Sequence, residues 1–362
     1  MSKSSRVFTN IWVLFALQAS TAFAQPISQF DIDSYLDNEI PDLMSYYSLP
    51  GLALAVFGFG EDTIVRTYGI RQTSTRQPMT SSTILQAASI SKAMFAVTVL
   101  KLVEKGVLDL DVPLAQYSEY ETIAADSRSE LITARMVLSH TSGLPNALPS
   151  GVQPSIGFQP GSRFSYSGWG FRYLQQVVET LTGKSLNLIM EEELWGPLDM
   201  NHSSYIWRDE FAFNAADGHR ADQTLGREIR RLEREYAEGG VVTTIDDLAK
   251  FGEHVLAQIT SGKELYISMV EPQVDIRDYG EGKRMSWSLG WGVEETPAGA
   301  SIWHTGAAGY FQAFIMLDLD SEKGFAILVN SENGQQIKPD LVTDLLGINH
   351  LSTEYSPSAL SR

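Results

Sequence analysis

Apolar positions recur at helical spacing through residues 29–47 (QFDIDSYLDNEIPDLMSYY), and the acidic residues near their start suit a helix N-terminus. Gly51 to Phe57 (GLALAVF) and Thr63 to Tyr68 (TIVRTY) read as two strands, joined into a hairpin by the Gly-rich run 58–62. The pattern predicts an apolar helix over 89–105, closed by Gly106. From there to about residue 235 it gives helices and loops without a strand ladder. Arg172–Thr182 and Leu186–Leu194 are the clearest helices of that stretch, split by Gly183-Lys184. Ile245–Ile259 is another, with Thr244 as N-cap and Asp246 and Asp247 behind it. After residue 285 the period shortens. Trp287–Glu294, Ala300–His304, Phe311–Leu317 and Gly324–Asn330 read as four strands, and a last helix spans roughly 336–346.

Strands thus sit at both ends of the chain with a mostly helical stretch between them. This predicts an α+β domain over 25–351. Its α/β part takes about 25–84 and 236–351, and a helical insert takes about 85–235. There is no internal repeat, and the polar tail 352–362 is expected to be loose. The first 24 residues read differently. Lys3 and Arg6 precede a short apolar run, Ile11 to Leu17, and Ala22-Phe23-Ala24 precedes Gln25. That is the pattern of a secretory signal peptide cut after Ala24, with an uncleaved N-terminal anchor as the alternative. No later stretch approaches the apolar length of a membrane helix. An exported protein, periplasmic or secreted, is expected.

Composition narrows the function classes. The 362 residues include no cysteine, which excludes disulfides, thiolate metal sites, Fe–S clusters and a cysteine nucleophile. The net charge is −17, and −19 without Lys3 and Arg6. A nucleic-acid partner or an anionic membrane surface calls for the opposite balance. The charge fits a soluble monomer and does not identify its small-molecule or peptide substrate. The six histidines are scattered with no i,i+4 pair, so neither a metal site nor a cofactor is expected, and no G-x-S-x-G pentapeptide is present.

Three segments carry candidate chemistry. Ser89-Ile90-Ser91-Lys92 places a hydroxyl and an amine one turn apart on one helix face. A serine is a weak nucleophile until a base takes its proton, and a lysine desolvated by the run Ala93–Leu100 can be that base. The plainer alternative is a helix cap and a lysine reaching for solvent. Tyr166-Ser167-Gly168 follows the Pro160-Gly161 turn at a loop–helix junction, where a tyrosine beside cations can relay a proton. Alone, it reads as packed aromatic surface. His304-Thr305-Gly306 ends a strand, where a backbone N–H just beyond can serve an oxyanion and the glycine admits a close approach. Alone, His304 reads as a structural strand histidine. His140, in LSHTSGLP, reads as a loop-fixing hydrogen-bonder. Glu238 with Gly239-Gly240 reads as structural support on a loop beside the site. His219 can approach from the insert, but no pattern decides it.

The three segments in this order resemble the signature of the serine β-lactamase and penicillin-binding protein superfamily: S-x-x-K, then Y-x-N or S-x-N, then K-T-G or H-T-G. The closer likeness is to the class C-type branch of class C β-lactamases, DD-carboxypeptidases, D-aminopeptidases and family VIII-type esterases. LSHTSGLP, FQPGSRF, PLDM, EGGVVTTIDDL and LGWG agree with it, over about 50–335. The resemblance implies a β-lactamase/transpeptidase-like fold and a serine hydrolase without cofactor. It implies Ser89 as nucleophile, Lys92 sharing its proton, and Tyr166 as general base and then as the acid that protonates the leaving group. His304 is implied near Tyr166 and the substrate's carboxyl end, and the N–H groups of Ser89 and Ala307 as oxyanion hole. Ser167, Gly168, Thr305 and Gly306 would line the substrate. Two departures stand out. Gly168 replaces the usual Asn, and His304 replaces the lysine of many β-lactamases. Both speak against efficient penicillin hydrolysis and leave acyl-serine chemistry intact. A DD-carboxypeptidase, D-amino-peptide or carboxylesterase type of activity is expected. The alternatives are a class C-like β-lactamase and a non-catalytic protein binding cell-wall fragments or β-lactams.

Overall fold

The computed structural model describes residues 29–60, 62–347 and 351; the expected signal peptide and the tail after 351 lie outside them. Helix α1 (Gln29–Tyr46) leads into strands β1 (Gly51–Phe57) and β2 (Ile64–Gly69), which form the expected hairpin. A two-residue strand β3 (Leu85–Gln86) precedes helix α2 (Ile90–Glu104). Helices α3 (Ala134–Leu138), α4 (Gly168–Thr182) and α5 (Leu186–Met190) follow. The stretch expected to hold only helices and loops also contains strands β4 (Gly218–His219) and β5 (Leu225–Arg227), which pair with each other. They are too short to show a period. Strand β6 (Val242–Thr243) pairs with β3, and helices α6 (Ile245–Thr260) and α7 (Glu264–Val270) come next. A meander of β7 (Val274–Gly280), β8 (Lys283–Trp287), β9 (Gly292–Thr296), β10 (Gly299–Ala307), β11 (Gln312–Asp318) and β12 (Lys323–Val329) precedes α8 (Lys338–Leu346).

The main sheet has eight antiparallel strands in the order β2-β1-β12-β11-β10-β9-β8-β7. The first hairpin joins the meander through β1 and β12, with Leu52 opposite Val329 and Phe57 opposite Gly324. All seven residues of β1 are buried, so its apolar run is continuous because both faces are covered. Leu52, Leu54 and Val56 pack with Ile32, Leu36 and Ile40 of α1 and Leu341 and Leu345 of α8. Ala53, Ala55 and Phe57 enter the larger core with α2, α4 and α6. The sequence reads Trp287–Glu294 as one strand, but the chain breaks between β8 and β9, turning at Gly290 with φ 94°. Strand β7 escapes the pattern because it is a sheet edge, and its mostly half-buried and exposed DIRDYG run carries charges.

Helix α2 carries the site. Twelve of its fifteen residues are buried, so it is packed on every side. Each large apolar side chain so buried contributes about 1.5–3 kcal/mol. That packing draws Lys92, on the first turn, out of water.

Candidate active site

Ser89 stands at the N-cap of α2, and its hydroxyl makes no capping hydrogen bond. The i,i+3 spacing turns it toward Lys92, whose Nζ donates to Ser89 Oγ over 3.1 Å. Ala88, just before it, has φ 50°, a conformation that non-glycine residues rarely adopt. Hydrogen bonds hold the turn: Ala87 N–H donates to the Val241 carbonyl at 3.0 Å, Ser91 Oγ to the Ala88 carbonyl, and Val241 N–H to Ser91 Oγ at 3.1 Å. The serine is therefore presented by a fixed turn between the β3–β6 pair and α2.

Lys92 is 2% exposed. Its Nζ also donates to the backbone carbonyl of Glu238 and lies 4.9 Å from the centre of the Tyr166 ring. Burial pulls its pKa down to about 7; the Glu238 carboxylate opposes this and the Arg172 guanidinium assists it. The loop residue read as structural support is thus a direct partner of the lysine, through its main chain. Its side chain pairs with Arg172.

Tyr166 is 2% exposed and sits beside the Ser89 hydroxyl, outside ordinary hydrogen-bond geometry. Burial pushes its phenol above the usual tyrosine range, and the neighbouring Ser89 hydroxyl works in the other direction. Two histidines flank it. His140 fixes the loop as expected, but at Tyr166 itself. Its Nδ1 accepts from Ser167 N–H at 3.1 Å, its carbonyl accepts from Ser165 N–H at 2.8 Å, and its ring centre lies 4.1 Å from that of Tyr166. His304 donates from Nδ1 to the Thr305 carbonyl at 3.0 Å, and its Nε2 is buried with no hydrogen-bond partner among the described residues. Its ring centre stands 6.3 Å from that of Tyr166, with no hydrogen bond between them. Burial, with the nearby Lys92, lowers the His304 pKa to about 3 and drives His140 well below its ordinary value. Both imidazoles are neutral at neutral pH, so His304 brings no positive charge to a substrate carboxylate. Trp287, which no motif singled out, touches His140, Tyr166 and His304 with ring separations of 5.0, 5.7 and 5.5 Å and keeps the cluster dry.

Ala308 N–H is bonded to the Phe311 carbonyl at 2.9 Å, so the antiparallel alternation turns the Ala307 N–H away from β11. Strand β9 pairs with β10 only as far as Trp303, which leaves that edge of β10 open beside the Ser89 turn. The Ser89 N–H donates to no acceptor among the described residues. The close approach that Gly306 permits is with the protein's own chain: a Cβ there would stand 2.2 Å from the Ala87 carbonyl oxygen. Ser167 and Thr305 do not line the cavity that opens on Ser89. Ser167 caps α4, accepting from Gly170 N–H at 2.9 Å, and Thr305 Oγ1 donates to Gln335 Oε1 at 2.9 Å. His219 is committed elsewhere, with Nδ1 to the Asn330 carbonyl and Nε2 accepting from Thr73 N–H.

The cavity measures about 590 Å³ and is lined by Ser89, Lys92 and Ala307. Asn146, Arg172 and Arg230 also line it. None of these three was singled out by the sequence, although Asn146 directly follows the LSHTSGLP stretch and Arg172 opens a helix legible there, because no pattern says that they meet at the cavity. Among the described residues no group of three or more His, Asp or Glu side chains is placed to hold a metal ion, and no helix is long and apolar enough to cross a membrane. The arrangement gathers a hydroxyl, a buried amine of lowered pKa and the backbones of Ser89 and Ala307 around an open cavity.

The family model described as Beta-lactamase matches residues 36–346. Penicillin-binding protein 4 of Amycolatopsis lactamdurans is 25% identical over 334 residues, covering 84% of this chain and 87% of that one. Protein flp of Staphylococcus aureus is 21% identical over 350 residues, covering 90% and 68%. Among solved structures, the octameric penicillin-binding protein homologue of Pyrococcus abyssi superposes with a TM-score of 0.72 at 22% identity, covering 88% of this chain and 78% of that one. The β-lactamase/D-alanine carboxypeptidase of Pseudomonas syringae gives 0.71 at 20%, covering 88% and 99%. The two structures show the expected fold.

Proposed function

The chain belongs to the Beta-lactamase family, within a superfamily of serine hydrolases, and from that premise we propose that it hydrolyses ester or amide bonds through an acyl-enzyme on Ser89. The substrates are of the DD-carboxypeptidase, D-amino-peptide or carboxylesterase type, and the protein acts as an exported monomer. The observation that carries the reading is the 3.1 Å contact between Ser89 Oγ and a buried lysine whose pKa is drawn to about 7. Near neutral pH a large share of Lys92 is the free amine. It takes the Ser89 proton as Oγ attacks the carbonyl carbon, and the N–H groups of Ser89 and Ala307 hold the developing oxyanion. The resemblance implies Tyr166 as general base and then as the acid that protonates the leaving group, and a phenol raised by burial above the usual tyrosine range favours the second of these parts. As a neutral phenol it passes a proton to the leaving group and regains one from Lys92. Water then attacks the acyl-enzyme by the same route in reverse.

The test is labelling of the purified protein with a fluorescent fluorophosphonate, beside hydrolysis of short p-nitrophenyl esters. The wild type takes the label and turns over the ester. Ser89→Ala takes no label and loses turnover by at least about a thousandfold, with its fold intact by circular dichroism. A wild type that neither labels nor hydrolyses would favour the non-catalytic alternative. Nitrocefin in the same assay separates the β-lactamase alternative.

A further inference from the structure

We propose that Arg227 is a positioning residue of the oxyanion hole, tying the strand that carries the Ala307 N–H to the turn that carries the Ser89 N–H. The inference rests on the acyl-enzyme reading of Ser89 and deepens it, since it concerns what sets the gap between those two groups.

The two N–H groups come from separate parts of the fold. Ser89 follows β3, which pairs with β6, whereas Ala307 ends β10, which pairs with β9 and β11. Among the described residues no hydrogen bond runs directly between 85–92 and 304–308. A contact and a bridge join them instead. The contact is Gly306 against the Ala87 carbonyl, where a Cβ would stand 2.2 Å from the oxygen. It keeps the strand from moving nearer and does nothing to keep it from moving away. The bridge is Arg227, the last residue of β5. Its Nη2 donates to the Gln86 side-chain oxygen at 2.9 Å and to the Ala308 backbone carbonyl. Gln86 stands three residues before Ser89, and Ala308 stands one residue after Ala307. One nitrogen, with its two hydrogens, therefore holds both sides of the hole.

Each end of the bridge is fixed. Arg227 lies opposite Gly218 in the β4–β5 pair, and Gly226 beside it is so close to the Tyr310 ring that a Cβ would stand 2.6 Å away. This seats the hairpin on the turn 308–311. That turn is closed by Ala308 N–H on the Phe311 carbonyl at 2.9 Å and by Gln312 Nε2 on the Gly309 carbonyl at 2.8 Å. Gln86 is buried, so its side chain has little room to swing. A guanidinium donor makes a stronger hydrogen bond than a neutral one, and no carboxylate among the described residues pairs with Arg227 to draw it away. Stabilising an oxyanion requires donors already in place when the charge develops, and a misplacement of about 1 Å is enough to cost roughly a hundredfold in rate.

The experiment measures p-nitrophenyl ester turnover per site titrated to completion with fluorophosphonate. Arg227→Met keeps the stem and removes the bridge. Its kcat falls about 10–100-fold while KM stays within about twofold, because the hole holds the developing oxyanion and not the ground state. Phenylboronic acid, which forms a tetrahedral adduct on a reactive serine, reports the same loss without turnover: its inhibition constant rises in step with the fall in kcat/KM. Gln86→Met leaves the cation in place and removes one of the two bonds, and kcat drops about three- to tenfold. This variant also carries the test should Arg227→Met fold poorly. An Arg227→Met protein with full turnover per site, a fall in kcat with the boronate constant unmoved, or a Gln86→Met protein as fast as the wild type overturns the assignment. A wild type that neither takes the fluorophosphonate label nor cleaves the ester overturns instead the serine-hydrolase reading beneath it.

Discussion

Two lysines of this chain are buried to nearly the same degree, Lys92 at 2% and Lys338 at 4% exposed. Each holds its ammonium 4.9 Å from an aromatic ring centre, Tyr166 for one and Phe314 for the other. Burial lowers both pKa values, to about 7 and about 8, and in both a carboxylate works against the shift: Glu238 for Lys92, Glu294 for Lys338. What differs is the company. Lys92 touches a serine hydroxyl and borders a cavity. Lys338 opens α8 within the core on the other face of the sheet. Desolvation lets an amine shed its proton near neutral pH and so stand ready to accept one, but only a hydroxyl within reach and room for a substrate turn that into chemistry.

The sharpest break between them is in rate. Lys92→Met removes the base and lowers ester turnover on the order of 10²–10⁴-fold. Folding does not suffer, because taking a cation out of a dry site relieves its desolvation. The wild-type kcat/KM for an ester rises with pH through about 7 as Lys92 loses its proton. A profile measured from pH 5 to 9 that is flat through that point would transfer the base role elsewhere. A rise only at strongly alkaline pH would point to Tyr166.

Lys338→Met inverts the pattern, with turnover per folded molecule kept and the pH dependence of stability changed. In the folded state Lys338 titrates near 8, against an ordinary value of 10.5. Between those pH values the unfolded chain binds the proton and the folded chain does not, so this group makes stability rise with pH across that window. The full rise is about 3 kcal/mol. Lys92 contributes equally to both proteins and cancels in their difference. Urea midpoints of wild type and variant at pH 7.5 and 10 check this, and a constant difference sinks it.

The reach of the sequence follows the same division between local and assembled features. Helix α2 and the Ser89–Lys92 pair were legible because i,i+3 spacing and an apolar run are local. Strands β1, β10, β11 and β12 were legible because buried runs with turns between them announce themselves. The β8–β9 break was hidden by apolar residues on both sides of Gly290, and β7 by its charged edge. In the site, Arg172 and Glu238 stand 66 residues apart and pair only once α4 has packed. Asn146 and Trp287 likewise gain meaning from neighbours distant in the chain. Ser167 and Thr305 lie in motifs yet turn to structural partners, which no spacing rule distinguishes.

The smallest effect tests why Lys92 lies where it does on the pH scale. The Arg172 cation lowers its pKa and the Glu238 anion raises it, and the two side chains form one ion pair that is 38% and 16% exposed. Removing either partner unbalances the other. Arg172→Met leaves the anion alone, Lys92 holds its proton to higher pH, and the acid limb of kcat/KM moves up. Glu238→Gln leaves the cation alone and moves the limb down. Partial exposure limits each displacement to about half a unit at low salt, and added salt shrinks it further because the screening length shortens. The position of the limb is the readout, since both side chains line the cavity and either change can alter the rate itself. Limbs that coincide in the two variants would mean that burial alone sets the pKa of Lys92, as it does for Lys338 apart from Glu294.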